Sequence, residues 1–193
     1  MPLLSRSLFL SFIVISLIGI LAQLPSLHDL LEWDRQAIMA GQWWRILTGN
    51  VTHTNWTHLA MNLAGLIILV FLFRFNLTAC RLATILTILG CIVGLSMFLT
   101  ELGKYAGLSG ILHGLFIWGA CLDIRQHRSG GKLLLGAGLV KIGWDLSTGG
   151  SVETAALIQA SIAVEAHLAG ALGGFVLACA FNKVQSHESF NEV

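Results

Sequence analysis

Two polar, reactive side chains stand inside stretches of sequence that are otherwise apolar. Ser109, in Gly107-Leu108-Ser109-Gly110, opens one such stretch, and His167, in Ala166-His167-Leu168-Ala169-Gly170, lies deep in another. Polar groups are costly at membrane depth and rare there unless they serve a function. A hydroxyl and an imidazole are the pair needed for nucleophilic attack with proton transfer. Read one at a time, each has a plainer explanation. A serine at the start of a helix is an ordinary N-cap, and a lone buried histidine can be satisfied by a backbone carbonyl or can line a proton path.

Further polar residues extend the pattern. His58 and Asn62 are four apart at the outer start of an apolar segment, a spacing that puts both side chains on one helix face. An imidazole and an amide aimed into one cavity can donate to an oxyanion, next to the free N–H groups at the helix start behind Ser109; Asn62 alone reads equally as interhelical glue. His113 lies one turn after Ser109 on the same face. It competes with His167 for the role of base, but sits about 5.4 Å deeper and is better suited to stack on His167. Lys141 and Asp145, also four apart, can pair to lower each other's insertion cost. Glu165, two residues before His167, lies about 200° around the helix and does not suit a third triad position.

The elements that must position these groups are membrane helices. Of 193 residues, 55% are hydrophobic and 11% charged, against roughly a quarter charged in soluble domains. Six apolar segments are legible: Leu8–Leu24, His58–Phe73, Leu82–Leu99, Ser109–Leu122, Leu133–Leu146 and Ile162–Phe181. The first, third and sixth reach the length of a spanning helix, whereas the others need flanking residues. The first is too long an apolar run for a signal peptide and is expected to be retained. Small residues set the packing. Gly110 and Gly114 form one small-residue face, and Gly170 and Gly174 another; packed together they draw Ser109 toward His167.

Basic residues orient the chain. With both termini cytoplasmic, Arg6, Arg74, Arg81, Arg125, Arg128, Lys132 and Lys183 lie inside, and Arg35, Arg45 and Lys104 outside. The connection from Pro25 to Thr57, carrying Trp33, Trp43, Trp44 and Trp56, is then extracytoplasmic and suits the membrane interface. The net charge of +1 gives no reason to expect nucleic acid, and the cysteines at 80, 91, 121 and 179 show no metal-ligand spacing. Residues 1–193 read as a single domain with a short disordered tail at about 184–193.

Taken together, Trp44-Arg45, His53, His58-xxx-Asn62, Gly107-x-Ser109-Gly110 and Ala166-His167-xx-Gly170-xxx-Gly174 resemble the rhomboid family of intramembrane serine proteases, in the family's order and over essentially the whole chain. The resemblance implies an all-α membrane protein, a six-transmembrane-helix rhomboid-like bundle. It implies a Ser109–His167 dyad without a carboxylate, and an oxyanion hole of His58, Asn62 and the Ser109 N–H. Trp44 and Arg45 would order the first loop, with His53 supporting its hydrogen bonding. No metal or organic cofactor is implied.

His113 stands where many rhomboids carry an aromatic residue. The resulting GxSGxxHG form, in a chain without a soluble domain, looks like the rhombosortase branch. That branch implies a bacterial inner-membrane enzyme whose active site opens to the periplasmic side. Its partners would be the lipid bilayer and exported, membrane-anchored proteins with a C-terminal Gly-Gly, transmembrane segment and basic tail. The other readings are a general rhomboid protease, a non-catalytic rhomboid-like protein that binds membrane helices, and a small transporter. The last would need an internal inverted repeat, which the sequence lacks.

Overall fold

The computed structural model describes residues 4–188. It is mostly helical: α1 (Arg6–Leu21), α2 (Pro25–Leu31), α3 (Arg35–Met39), α4 (Arg45–Thr48), α5 (Trp56–Leu72), α6 (Ala79–Ser96), α7 (Ser109–Arg125), α8 (Gly131–Thr148), α9 (Val152–Ile158) and α10 (Val164–Glu188). Two short strands, β1 (Trp33–Asp34) and β2 (Lys104–Tyr105), pair antiparallel and tie the first loop to the segment just before Ser109. The all-α expectation needs this small amendment.

Side-chain caps fix the helix starts. Ser5, Asn55, Thr78 and Ser151 each accept a hydrogen bond from a backbone N–H in the first turn of their helices, satisfying a donor that would otherwise be orphaned in apolar surroundings. The first apolar segment does not run to Leu24 as one helix. Pro25 holds Leu24 extended (φ −65°, ψ 131°), and the chain bends by 101° into α2. Among the described residues, one helical stretch, Ala79–Leu99, is by itself long and apolar enough to cross a membrane; α1 with α2 passes only as a bent pair, and Trp56–Leu72 and Val164–Ala180 are shorter apolar helices. α10 carries on through the start of the stretch read as a disordered tail, where no Pro or Gly interrupts it; residues 189–193 of that tail lie outside the described residues.

The most extensive helix contact is between α7 and α10, and glycines make it. A Cβ on Gly170 would collide with the Gly110 carbonyl, and one on Gly174 with the Gly114 carbonyl; a Cβ on Gly114 would come within 2.5 Å of the Gly170 carbonyl. At these glycines no side chain fits, so α7 and α10 touch backbone to backbone there.

One core, around Phe73, Leu82, Ile85, Leu89, Leu115 and Trp118, fills the bundle. A second, around Trp33, Ile38, Val93, Met97 and Tyr105, anchors the first loop. Trp33 is therefore a core residue, donating from Nε1 to the Gly94 carbonyl at 2.8 Å, while Trp43, Trp44 and Trp56 are exposed as an interfacial segment requires. Outward-facing Phe9, Val14, Leu17, Leu139, Val140, Phe175 and Val176 give the bundle an apolar exterior of the kind lipid covers.

Candidate active site

Ser109 is the first residue of α7, not its cap. Leu108 holds the cap position in a helical conformation, without a side-chain hydrogen bond to the helix. The Ser109 hydroxyl is left free of that duty and points across the glycine seam, where Oγ lies 3.0 Å from His167 Nε2. The turn that delivers it needs Gly107. This residue has φ +134°, and a Cβ there would meet His58 Cε1 at 2.9 Å and Nε2 at 3.0 Å. Buried Tyr105 locks the turn by donating its hydroxyl to the Gly107 carbonyl at 2.7 Å. Burial pushes that phenol's pKa up, so it stays a donor.

His167 is buried and held on three sides. The His113 ring stacks on it, with centroids 4.0 Å apart and planes 16° from parallel. His113 is itself fixed by donating Nδ1–H to the Ser109 carbonyl at 2.8 Å; a carbonyl only accepts, so that ring nitrogen carries the proton. The third contact changes the expectation. Asp145 Oδ2 lies 3.1 Å from His167 Nδ1, so a carboxylate stands where the resemblance implied none. Because a carboxylate accepts, His167 carries its proton on Nδ1, leaving the Nε2 lone pair facing the serine hydroxyl. Asp145 also takes Lys141 Nζ at 2.5 Å, the pairing expected within this helix. Glu165 is exposed at the cavity wall, on the wrong side of α10 to reach His167 Nδ1.

A cavity of about 750 Å³ opens beside these groups, lined among others by His58, Asn62, Ser109, His113, Lys141 and His167. Asn62 Nδ2 is buried without a hydrogen-bond partner among the described residues and lies on the Gly107 side of the cavity. His58 Nδ1 is 3.1 Å from Thr54 Oγ1. That hydroxyl spends its only proton on the Ile158 carbonyl at 2.6 Å, so it accepts from His58 Nδ1–H. Thr54 and Asn55, which reaches the Leu157 carbonyl at 3.0 Å, also seat α9 over this end of the bundle.

The remaining expected residues act at a distance. The Arg45 guanidinium is buried, with Nε on Gln42 at 2.7 Å and a terminal nitrogen on the Glu32 carbonyl at 2.7 Å. Trp44 Nε1 donates to the Leu30 carbonyl at 3.0 Å. Both bond to other residues of the first loop, and neither lines the cavity. His53 lies in the first loop beside His58. Its backbone N–H reaches Gln23 at 3.1 Å, and its ring packs edge-on against His58 at 5.0 Å. Burial first, and then the neighbouring His58, lower the His53 pKa to about 3.

His113, Asp145 and His167 bring potential ligand atoms within 4.8 Å of one another. Stacked rings, however, run their in-plane lone pairs side by side and do not converge them on one point, and both nitrogens of His167 are already engaged. The geometry suits a proton relay better than a metal.

The family model described as the rhomboid domain matches residues 40–183. The chain belongs to the rhomboid family. Rhomboids are membrane-embedded proteases that act on transmembrane substrates within the bilayer. The match covers Ser109, His167, His58, Asn62, His113 and Asp145 together. No curated protein matches the chain. Within this rhomboid, Asp145 is the site residue that the sequence left unassigned. A charged pair inside an apolar helix was the available signal, but the rotation of α8 that turns it toward α10 was not legible.

Proposed function

We propose that this rhomboid is a serine endopeptidase of rhombosortase type, cutting the C-terminal Gly-Gly, transmembrane and basic-tail anchor of exported proteins. The observation that carries the reading is the 3.0 Å contact between Ser109 Oγ and the lone-pair-bearing Nε2 of His167 beside a cavity. Ser109 Oγ attacks the scissile carbonyl while its proton passes to His167 Nε2. The imidazolium then protonates the leaving amine, and a second nucleophile releases the acyl group from Ser109.

Oxyanion stabilisation falls to the Ser109 N–H and the free Asn62 amide. His58 joins them when protonated on both ring nitrogens, because its Nδ1–H is committed to Thr54. The branch assignment is supported by His113, whose ring occupies the stacking position over His167. A Gly-Gly cut site is physically apt, since glycine weakens a substrate helix by about 1 kcal/mol per residue relative to alanine and eases the unwinding that brings a peptide bond to Ser109.

The reading carries a topology: residues 1–193 as one domain of six spans, formed by α1, α5, α6, α7, α8 and α10. Both termini are cytoplasmic in a bacterial inner membrane, and the cavity opens to the periplasmic side, in keeping with the basic-residue bias. Co-expression with a reporter ending in Gly-Gly, an apolar span and arginines tests it. Cleavage is expected with wild type and is lost in Ser109→Ala. Equal cleavage of an Ala-Ala reporter would favour a general rhomboid protease, and no cleavage of any transmembrane reporter a non-catalytic helix binder.

A further inference from the structure

We propose that Asp145 is a positioning residue that extends the Ser109–His167 pair into a three-membered relay, an inference that rests on the protease reading above. The distances form a continuous chain, 3.0 Å from Ser109 Oγ to His167 Nε2 and 3.1 Å from His167 Nδ1 to Asp145 Oδ2. A carboxylate at Nδ1 has two effects. It fixes the tautomer whose Nε2 can take the serine proton, and it stabilises the imidazolium formed when that proton arrives.

An ion pair with Lys141 does not by itself account for Asp145. The Lys141 side chain is 55% exposed and could hold a partner near the surface, whereas the Asp145 side chain is 1% exposed. The carboxylate is buried on the side that faces His167. Lys141 Nζ holds both carboxylate oxygens at 2.5 Å, a pairing that lets a carboxylate persist in apolar surroundings. His113 fixes the ring from its face and Asp145 from its edge, so His167 has one orientation and one tautomer.

The test compares wild type with Asp145→Ala and with the paired variant Lys141→Met/Asp145→Leu, which swaps the ion pair for apolar side chains and leaves no orphan charge to unfold the helix. Nitrogen-15 NMR of the histidines in detergent reads the His167 tautomer whether or not substrate turns over. Expected are Nδ1–H in wild type and loss of that preference in both variants, with kcat falling by about 10²–10⁴-fold and KM changing by less than about threefold. Nε2–H in wild type, an unchanged tautomer in the variants, or kcat within about threefold of wild type overturns the proposal. A wild type that shows Nδ1–H, loses it with Asp145, and yet cleaves no substrate supports the positioning and sinks the protease reading instead.

Discussion

Asp123 and Asp145 are both buried carboxylates in one apolar bundle, and they are partnered in the same way. Each has a cation and a neutral nitrogen donor. Asp123, near the end of α7, meets Arg128 at 3.3 Å and the Asn76 amide at 2.7 Å; Asp145, near the end of α8, meets Lys141 at 2.5 Å and the His167 ring at 3.1 Å. Ser109 and Asp123 are separated by most of the length of α7, about 21 Å at 1.5 Å per residue. Among the described residues, the side chains bonded to the Asp123 carboxylate are a guanidinium and an amide, with no imidazole among them. Asn76 takes part only as an amide and, through its backbone carbonyl, accepts from Arg81 at 2.8 Å, while Arg125 reaches across to the Ala178 carbonyl. That end is a clamp joining the α5–α6 connection, α6, α7 and α10. At the other end the neutral partner is an imidazole with a hydroxyl on its far nitrogen. A buried, paired carboxylate is thus no sign of chemistry by itself. Its neighbour decides.

The comparison breaks first at the nucleophile and base. Ser109→Ala and His167→Ala should each lower kcat by about 10⁶-fold, and the double variant should be no worse, because the two act as a unit; reporter cleavage with purified protein reads this. Next come the two carboxylates themselves. Asp145→Ala should cost about 10²–10⁴-fold in kcat, whereas Asp123→Ala should leave kcat within about threefold and cost about 1–3 kcal/mol of stability, from the buried Asn76 donor it orphans. Thermal unfolding in detergent beside the cleavage assay separates the two, and matching losses of kcat would erase the distinction.

His113 gives a smaller effect. Losing a stacked ring is worth about 0.5–1.5 kcal/mol, so His113→Ala should slow cleavage by about 3–10-fold and His113→Phe, which can still stack, should recover most of it. The mildest effect, invisible at neutral pH, belongs to His53. Its folded pKa of about 3 lies below the ordinary imidazole value of 6.5, so the unfolded chain binds the proton more readily. Its stabilising contribution is complete above pH 6.5 and declines as pH falls from there toward 3. His53→Phe should flatten that part of the stability–pH curve.

Most of what joins Ser109 to His167 was legible because it depends on local rules. The glycine spacings 110/114 and 170/174 favour a close helix pair in apolar sequence, and this pair is the one that forms. The His58–Asn62 spacing likewise puts both residues at the cavity. Helix rotation and loop packing were not legible. Asp145 reaches His167 because of how α8 turns against α10, which no spacing within α8 encodes. Trp33 reads like its neighbours Trp43 and Trp44, yet it is buried because β1 pairs with β2 beside Gly94. The serine at the head of α7 looked like a cap until the Leu108 conformation left its hydroxyl free.

The central claim is that Ser109 is a nucleophile activated by His167, and a fluorophosphonate probe tests it most directly. Folded wild-type protein in detergent should carry a single covalent adduct, mapped to Ser109 by peptide mass spectrometry, and neither Ser109→Ala nor His167→Ala should carry it. An unlabelled wild type, or an adduct that persists in Ser109→Ala, would contradict the account.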